Sequence, residues 1–389
     1  MSLRILHVLD ATTPADALEM LAEMLTAAPA EHRIVALGHR STADLAVLVG
    51  IDPVTHPIQF IHSMGWADPS GWRSLRQVVK KFSPTHIHAW GVPAGVATVM
   101  TRTTLPRIVT LVDLPRTSHL QLLAFIHKGG LMFPAAPCRW VVTSTWLKRE
   151  LHAHAIGAND VLLIPPCIHM RSEAFGTSAT LREELGIAAG DGPVVLLGGD
   201  GGMGATGALL ARPGTNPLRH GGRGGPRHDI GLWSTTILRQ VFPRMRAVVR
   251  EDPRSLPDHG VERLFDHLPE EDLLAIAPAT WSWQKLLSIS DLLLVTPDGP
   301  FPPACILHAF AAGVPVIGTP VDAVRELLTD PQQGRLTASN RPREIAAAIE
   351  AFFNERGASP SAATSKSVPT NPSFDAIYAE SPQAAWQAA

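Results

Sequence analysis

Ser290–Leu328 reads SDLLLVTPDGPFPPACILHAFAAGVPVIGTPVDAVRELL. Leu292–Val295 is a short, wholly apolar run that predicts a strand buried on both faces. Ala304–Ala312 then predicts a helix, Val314–Gly318 a second strand and Val321–Leu328 a second helix. Strand, helix, strand and helix joined by short loops make a parallel sheet, because each helix must carry the chain back before the next strand begins.

The same alternation extends outward through the chain. Toward the N-terminus, Pro193–Leu197 and Ala247–Arg250 predict strands, and Leu232–Val241 a helix. Arg343–Asn354 predicts a closing helix. The first half repeats the pattern. Its predicted strands are Ile5–Leu9, Ile34–Leu37, His86–Ala89, Ile108–Val112, Trp140–Thr143 and Val161–Ile164. Its predicted helices are Ala15–Ala27, Trp72–Phe82, Val92–Thr101, Leu120–His127 and Trp146–His154. Pro165-Pro166 interrupts the series and marks a hinge. The expected fold class is α/β, with two Rossmann-like doubly wound parallel sheets facing each other across a cleft. The first spans 1–168, the second 169–355, and 356–389 forms a linker rich in Ser, Ala, Pro and Thr with a terminal segment.

Bulk composition agrees with a folded two-domain chain. The length is 389 residues, with 45% hydrophobic and 17% charged residues. A formal net charge of -2 offers no overall field to attract nucleic acid. Cys138, Cys167 and Cys305 are too few and too scattered for a disulfide framework or a zinc site. The opening MSLRILHVLD runs directly into a strand, and no apolar run is long enough for a membrane span, so the expected location is cytoplasmic. The apolar stretch Leu120–Phe133 includes His127 and Lys128; it suits either a buried helix or peripheral contact with a membrane.

The Ser290–Leu328 segment resembles the sugar-nucleotide-binding segment of the GT-B-fold family 4 glycosyltransferases, the glycosyl transferases of group 1. Ser290-Asp291, His308–Gly313, Pro315–Ile317 and Glu326 occupy its strand-opening, helix-ending, strand and glutamate positions. RILHVLD, THIHAWG, RIVTLVD and LLIPPCIHM resemble further family strands in the same order. The resemblance implies transfer of a sugar from a nucleoside-diphosphate-sugar to a carbohydrate or lipid-linked acceptor hydroxyl. It further implies retention of anomeric configuration, with no metal and no cofactor beyond the donor. Several expected groups are replaced. Pro300 and His308 stand where the family carries two glutamates, and Val112 stands where it carries a histidine. The paired glycines expected near Asp10 to Ala15 are missing. A catalytically inactive relative that binds a nucleotide or carbohydrate, or serves in an assembly, is therefore a second expectation.

The candidate chemistry divides between the two halves. LGGDGGMG over Leu197–Gly204 places Gly199, Gly201 and Gly202 just after a strand, where bare amides can meet phosphate oxygens. Gly199, Gly201 and Gly204 also spell a dinucleotide fingerprint, but Pro213, Pro217 and Pro226 follow in place of an immediate helix. Arg223 and Arg227 are the preferred pair for a diphosphate, because Asp229–Trp233 opens the next helix. Asp298, His308 and Glu326 complete the donor-side set. In the first half, His88 and Asp113 are expected to end neighbouring strands and to serve as catalytic groups, orienting an acceptor hydroxyl or stabilising a cationic sugar. His88, alternating within HIHAW, equally suits a packed strand position.

Overall fold

The computed structural model describes residues 3–10, 13, 15–27, 30–38, 51–52, 54–63, 68–112, 138–153, 161–164, 168, 176–188, 190–199, 227–250, 273–278, 281–297 and 304–356. They fall into two units, the first running to Arg171 and the second starting at Ser172.

In the first unit the elements are β1 (Arg4–Asp10), α1 (Ala15–Ala27), β2 (Glu31–Leu37), β3 (Ile58–Ile61), α2 (Pro69–Phe82), β4 (His86–Trp90), α3 (Val92–Met100), β5 (Arg107–Leu111), β6 (Cys138–Val142), α4 (Thr145–Ala153) and β7 (Val161–Leu163). Its seven strands lie in the order β3-β2-β1-β4-β5-β6-β7. Every pairing is parallel. Alternation along β1 explains why both faces are covered. Leu6 and Val8 meet α2, α3 and α4 residues such as Leu75, Val96 and Leu147, while Ile5 and Leu9 meet Leu18 and Leu21 of α1. Fully burying each such side chain contributes about 1.5–3 kcal/mol. The boundaries carry local signals. Asp68 caps α2 by accepting the Ser70 amide at 2.8 Å, and Ser83 ends the helix in the left-handed region.

The second unit contains α5 (Ser178–Glu184), β8 (Val194–Leu197), α6 (His228–Leu238), β9 (Arg246–Arg250), β10 (Leu274–Ala277), α7 (Trp283–Leu287), β11 (Leu292–Val295), α8 (Ala304–Ala312), β12 (Val316–Gly318), α9 (Asp322–Leu327), β13 (Gly334–Leu336) and α10 (Pro342–Arg356). Six strands lie in the order β10-β9-β8-β11-β12-β13, again all parallel. One face packs Leu196, Leu293 and Val316 against α5, α7, α8 and α9, and the other packs Val195, Leu294 and Ile317 against α6 and α10.

Two doubly wound parallel sheets are therefore present, as expected. Five elements were not anticipated: β3, α5, β10, α7 and β13. Two helices start three or more residues earlier than their apolar patterns implied: α2, at Pro69 rather than Trp72 behind its Asp68 cap, and α6. α6 begins at His228, not Leu232, because Arg227 supplies the cap position and Asp229 the acidic first turn. The proposed helix Leu120–His127 and the segment 356–389 lie outside the described residues, apart from Arg356 at the end of α10. Among the described residues, no helix is long and apolar enough to cross a membrane.

Candidate functional site

In an open doubly wound sheet, ligands bind beyond the strand C-termini where the strand order reverses. In the second unit that point lies between β8 and β11, which are direct neighbours. Gly198 follows β8 and extends the ladder, donating its amide to the Leu294 carbonyl at 2.7 Å. A Cβ at Gly198 would overlap Val295 Cγ1 and come within 3.1 Å of Leu293 Cδ1 and 3.3 Å of Cys305 Sγ. Gly199 has φ +95, a region that L side chains avoid. The two residues after β8 thus carry no side chain.

Helix α6 returns to the same point. The Arg227 amide donates to the Thr296 carbonyl at 3.2 Å, and the Thr296 hydroxyl donates to the Arg227 carbonyl at 2.8 Å. Gly231 lets the first turn lie on β8, where an added Cβ would stand 3.1 Å from Leu197 Cδ2. The positive end of an 11-residue helix is consequently fixed beside Gly198 and Thr296. The neighbouring strand end is held in the same way, with Thr319 Oγ1 donating to the Pro297 carbonyl at 2.6 Å. These buried threonines, Thr296 and Thr319, were missed in the sequence; each is the residue directly after a strand, the one signal that marks them.

The donor-side candidates separate on this frame. Gly199 and Arg227 meet at the one sheet edge. Arg227 turns its guanidinium fork onto Asp229, with contacts of 2.9 and 2.8 Å, so its charge is engaged within the first turn of α6. His308 is buried in α8 at 4% exposure, one turn beyond Cys305, which faces Gly198. Glu326 is half-buried and is the fifth residue of α9, not near its start; the acidic residue in the first turn is Asp322. Gly201, Gly202, Arg223, Asp298 and Pro300 lie outside the described residues.

Asp291, which opens the β11 strand motif, serves the opposite end of the sheet. Its carboxylate accepts the Val194 amide at 2.8 Å and pairs with Arg182 at 3.3 Å, while Arg182 also donates to the Ile289 carbonyl. Burial pushes the Asp291 carboxyl up, opposed by the Val194 amide and the Arg182 guanidinium. This acidic residue ties α5, β8 and β11 together.

The first unit corrects one expectation. His88 does not end a strand. It is the third residue of β4, 1% exposed like Ile87 and Ala89 on either side, because β4 lies between β1 and β5 in a sheet covered on both faces. Its ring stacks on Trp90 with centroids 4.2 Å apart, and its Nε2 meets Thr110 Oγ1 at 2.7 Å. His7 lies opposite on β1, with ring centroids 5.5 Å apart. Trp90 Nε1 can only donate, so His7 Nδ1 accepts at 3.3 Å; His7 Nε2 then carries the proton and donates to His32 Nδ1 at 3.0 Å. Burial holds His88 down to about 3 and holds His7 well below the usual histidine range, helped by its histidine neighbours. These imidazoles are neutral around pH 7. Val112 packs in the apolar cluster with Ile5, Leu9 and Trp90. Asp113 lies outside the described residues.

Residues 282–355 match the family model for glycosyl transferases group 1. HepE from Anabaena, solved in complex with UDP and glucose, superposes with a TM-score of 0.72 at 16% identity over 100% of both chains. The fold is that of a GT-B glycosyltransferase. Sucrose-phosphate synthase from Thermosynechococcus elongatus superposes on this GT-B chain with a TM-score of 0.65 at 16% identity, covering 99% of this chain and 98% of the other. UDP-GlcNAc 2-epimerase from Neisseria meningitidis, solved with UDP-GlcNAc, reaches 0.53 at 12% identity over 91% and 92%. No curated protein matches the sequence. The matched family segment contains β11, α8, β12 and α9, and so includes Asp291, Thr296, His308 and Glu326 of the GT-B second unit.

Proposed function

We propose that the protein is a glycosyltransferase whose second unit holds a nucleoside-diphosphate-sugar. The observation that carries this reading is the bare Gly198-Gly199 turn set beside the anchored N-terminus of α6 at the β8/β11 boundary. The diphosphate lies against those amides, where the helix end complements its charge. That charge grows as the glycosidic bond to the sugar breaks, so the same contacts stabilise the transition state. Arg227 joins the phosphate by exchanging Asp229 for it, and Arg223 and the amides of Gly201 and Gly202 extend the contact. Asp298, His308 and Glu326 line the sugar and ribose side. The UDP and UDP-GlcNAc complexes of the similar structures support a nucleotide-sugar donor.

The transfer proceeds with retention, without a metal and without a cofactor beyond the donor, to a hydroxyl on a carbohydrate or lipid-linked acceptor. Asp113 orients that hydroxyl; His88, neutral and buried, supports the strand ends from inside. Contact with a lipid-linked acceptor would be peripheral, through the Leu120–Phe133 stretch. Cys138 and Cys305, neither of them in a disulfide, support a reducing, cytoplasmic setting.

A second reading, a non-catalytic relative that binds a nucleotide or carbohydrate, is favoured by Val112, which contributes only apolar packing where the family resemblance calls for a histidine. The deciding experiment incubates the protein with nucleotide sugars and acceptors in the presence of a chelator, and reads the anomeric configuration of the product by NMR. Retained configuration and turnover unaffected by chelation are expected. Nucleotide binding without turnover on any acceptor would favour the second reading.

A further inference from the structure

Helix α2 carries Arg73, Arg76, Lys80 and Lys81 and no acidic residue in its 14 positions. The whole chain leans the other way, with 33 basic and 35 acidic residues, so the helix is a local concentration of charge. Folding gathers the four on one face. Leu75, Val78, Val79 and Phe82 are buried in the core of the first unit. Successive helical residues turn by about 100°, so Arg73, Arg76 and Lys80 share an outer arc of about 60°, with Lys81 beside it. All four are exposed, and among the described residues none of their side chains makes an ion pair or a hydrogen bond. Arg33 of β2 adds a cation at the helix end, its guanidinium 5.1 Å from the Phe82 ring centroid.

The flanking acids are committed elsewhere. Asp68 accepts the Ser70 amide and hydroxyl at 2.8 and 2.7 Å as the helix cap, and Glu31 pairs with Arg4 at 2.8 Å. Helix stability does not explain the row either. Lys80 and Lys81 complement the negative end of α2, but Arg73 and Arg76 stand nearer its positive end, where a cation brings the helix nothing. From Arg73 to Lys81 the row is about 12 Å long. β3 and β4 belong to one parallel sheet, so α2 runs back from the C-terminal edge of that sheet to its N-terminal edge. Arg73 and Arg76 therefore lie toward the edge at which such sheets bind their ligands.

We propose that the outer face of α2 docks the protein on an anionic lipid bilayer. A convex row of unpaired cations suits a surface whose charges are laterally mobile and can follow the row. Each basic side chain multiplies binding to such a surface by about fivefold, over a reach of about 8 Å at physiological salt. Leu75 and its neighbours stay in the core, so the helix rests on the headgroups and does not sink between them. Nucleic-acid readers couple phosphate contacts with base stacking or base-edge contacts, and Gln77 is all that this arc offers beside its cations. The inference rests on the surface of the first unit and not on the glycosyltransferase reading. Together the two would bring the edge of the first sheet close to a lipid-linked acceptor.

The test sediments the full-length protein with vesicles of phosphatidylcholine alone, and of phosphatidylcholine with about one third phosphatidylglycerol. Binding is expected to the second only, and it should fall steeply as salt rises from about 0.05 to 0.5 M. Arg73→Gln/Arg76→Gln and Lys80→Gln/Lys81→Gln should each lower it about tenfold or more. Their melting temperatures should match the parent's, because all four side chains are exposed. Arg341→Gln/Arg343→Gln removes the same charge from exposed positions of the second unit and should bind as the parent does. A parent that ignores anionic vesicles would overturn the proposal. So would vesicle binding that survives in an α2 variant, or that falls equally in the Arg341/Arg343 variant, where net charge alone would account for it. An α2-dependent hold on a single-stranded oligonucleotide, with none on vesicles, would assign the face to nucleic acid instead. None of these results touches nucleotide binding by the second unit, which is read separately by calorimetry with UDP.

Discussion

Thr296 and Arg227 hold each other by two hydrogen bonds, amide to carbonyl at 3.2 Å and hydroxyl to carbonyl at 2.8 Å. They join the end of β11 to the start of α6. Thr296 is 2% exposed, so its hydroxyl has no water to fall back on. Thr296→Val preserves the shape and removes one bond, leaving the Arg227 carbonyl less satisfied. We expect a loss of about 1–2 kcal/mol in stability by urea titration. Nucleotide affinity should fall severalfold by calorimetry, because the α6 terminus loses its tether. A variant equal to the parent in both would remove Thr296 from the account.

The glycine turn predicts two separable effects. Gly198→Ala drives a methyl into Val295 and Leu293, and should destabilise the second unit by about 1–3 kcal/mol. At Gly199 the φ of +95 itself strains any L residue by about 1–2 kcal/mol in Gly199→Ala. Under the donor reading, nucleotide affinity drops about tenfold or more in Gly199→Ala, as the turn relaxes away from the phosphate. Melting curves and titrations on the same samples check both, and unchanged binding in a strained, folded Gly199→Ala protein would count against the site.

Arg227 and Asp229 give a prediction with opposite signs. The pair is partly exposed, with side chains 37% and 17% accessible, and contributes little to stability. Asp229→Asn releases the fork and removes a competing anion, so nucleotide affinity should rise a few-fold. Arg227→Ala should lower it about tenfold. If both variants shift affinity in the same direction, Arg227 does not contact the ligand.

The buried imidazoles predict the acid limb of stability. His7 and His88 are held below the usual histidine value of about 6.5, His88 to about 3, so folding favours their neutral forms. Their contribution is complete above pH 6.5. It declines as pH falls from there toward 3, because the unfolded chain takes up protons that the folded one refuses. The slope should approach 1.4 kcal/mol per pH unit for each histidine, roughly. His88→Gln, which cannot ionise, should flatten the decline in urea midpoints between pH 6.5 and 4.5. A variant as acid-sensitive as the parent would mean that His88 is not held neutral.

The sequence made the central strands readable and the peripheral ones not. Leu292–Val295 and Ile5–Leu9 are buried on both faces, so apolar runs reveal them. β3 exposes Gln59 and Phe60, and β13 is Gly-Arg-Leu; edge strands of this kind owe their form to the neighbour they pair with. The start of α6 was only partly readable: Asp229 marks an acidic first turn ahead of the apolar periodicity at Leu232, but Arg227 at the cap position makes no side-chain capping bond that would announce it. Gly199 was readable as a turn because glycine after a buried strand has a backbone reason to be there. The role of Thr296 depends on residues 69 positions apart, and no local pattern reports it.

The central claim is that nucleotide phosphates bind the second unit at the Gly198-Gly199 turn. Hydrogen exchange of the full-length protein, with and without saturating UDP or UDP-sugar, tests it most directly. The account predicts added protection over Gly198–Gly199 and the first turn of α6, from His228 to Gly231, with none over α3 of the first unit. Protection over α3 with none around Gly199, or no protection anywhere with a full panel of nucleoside diphosphates, would contradict it.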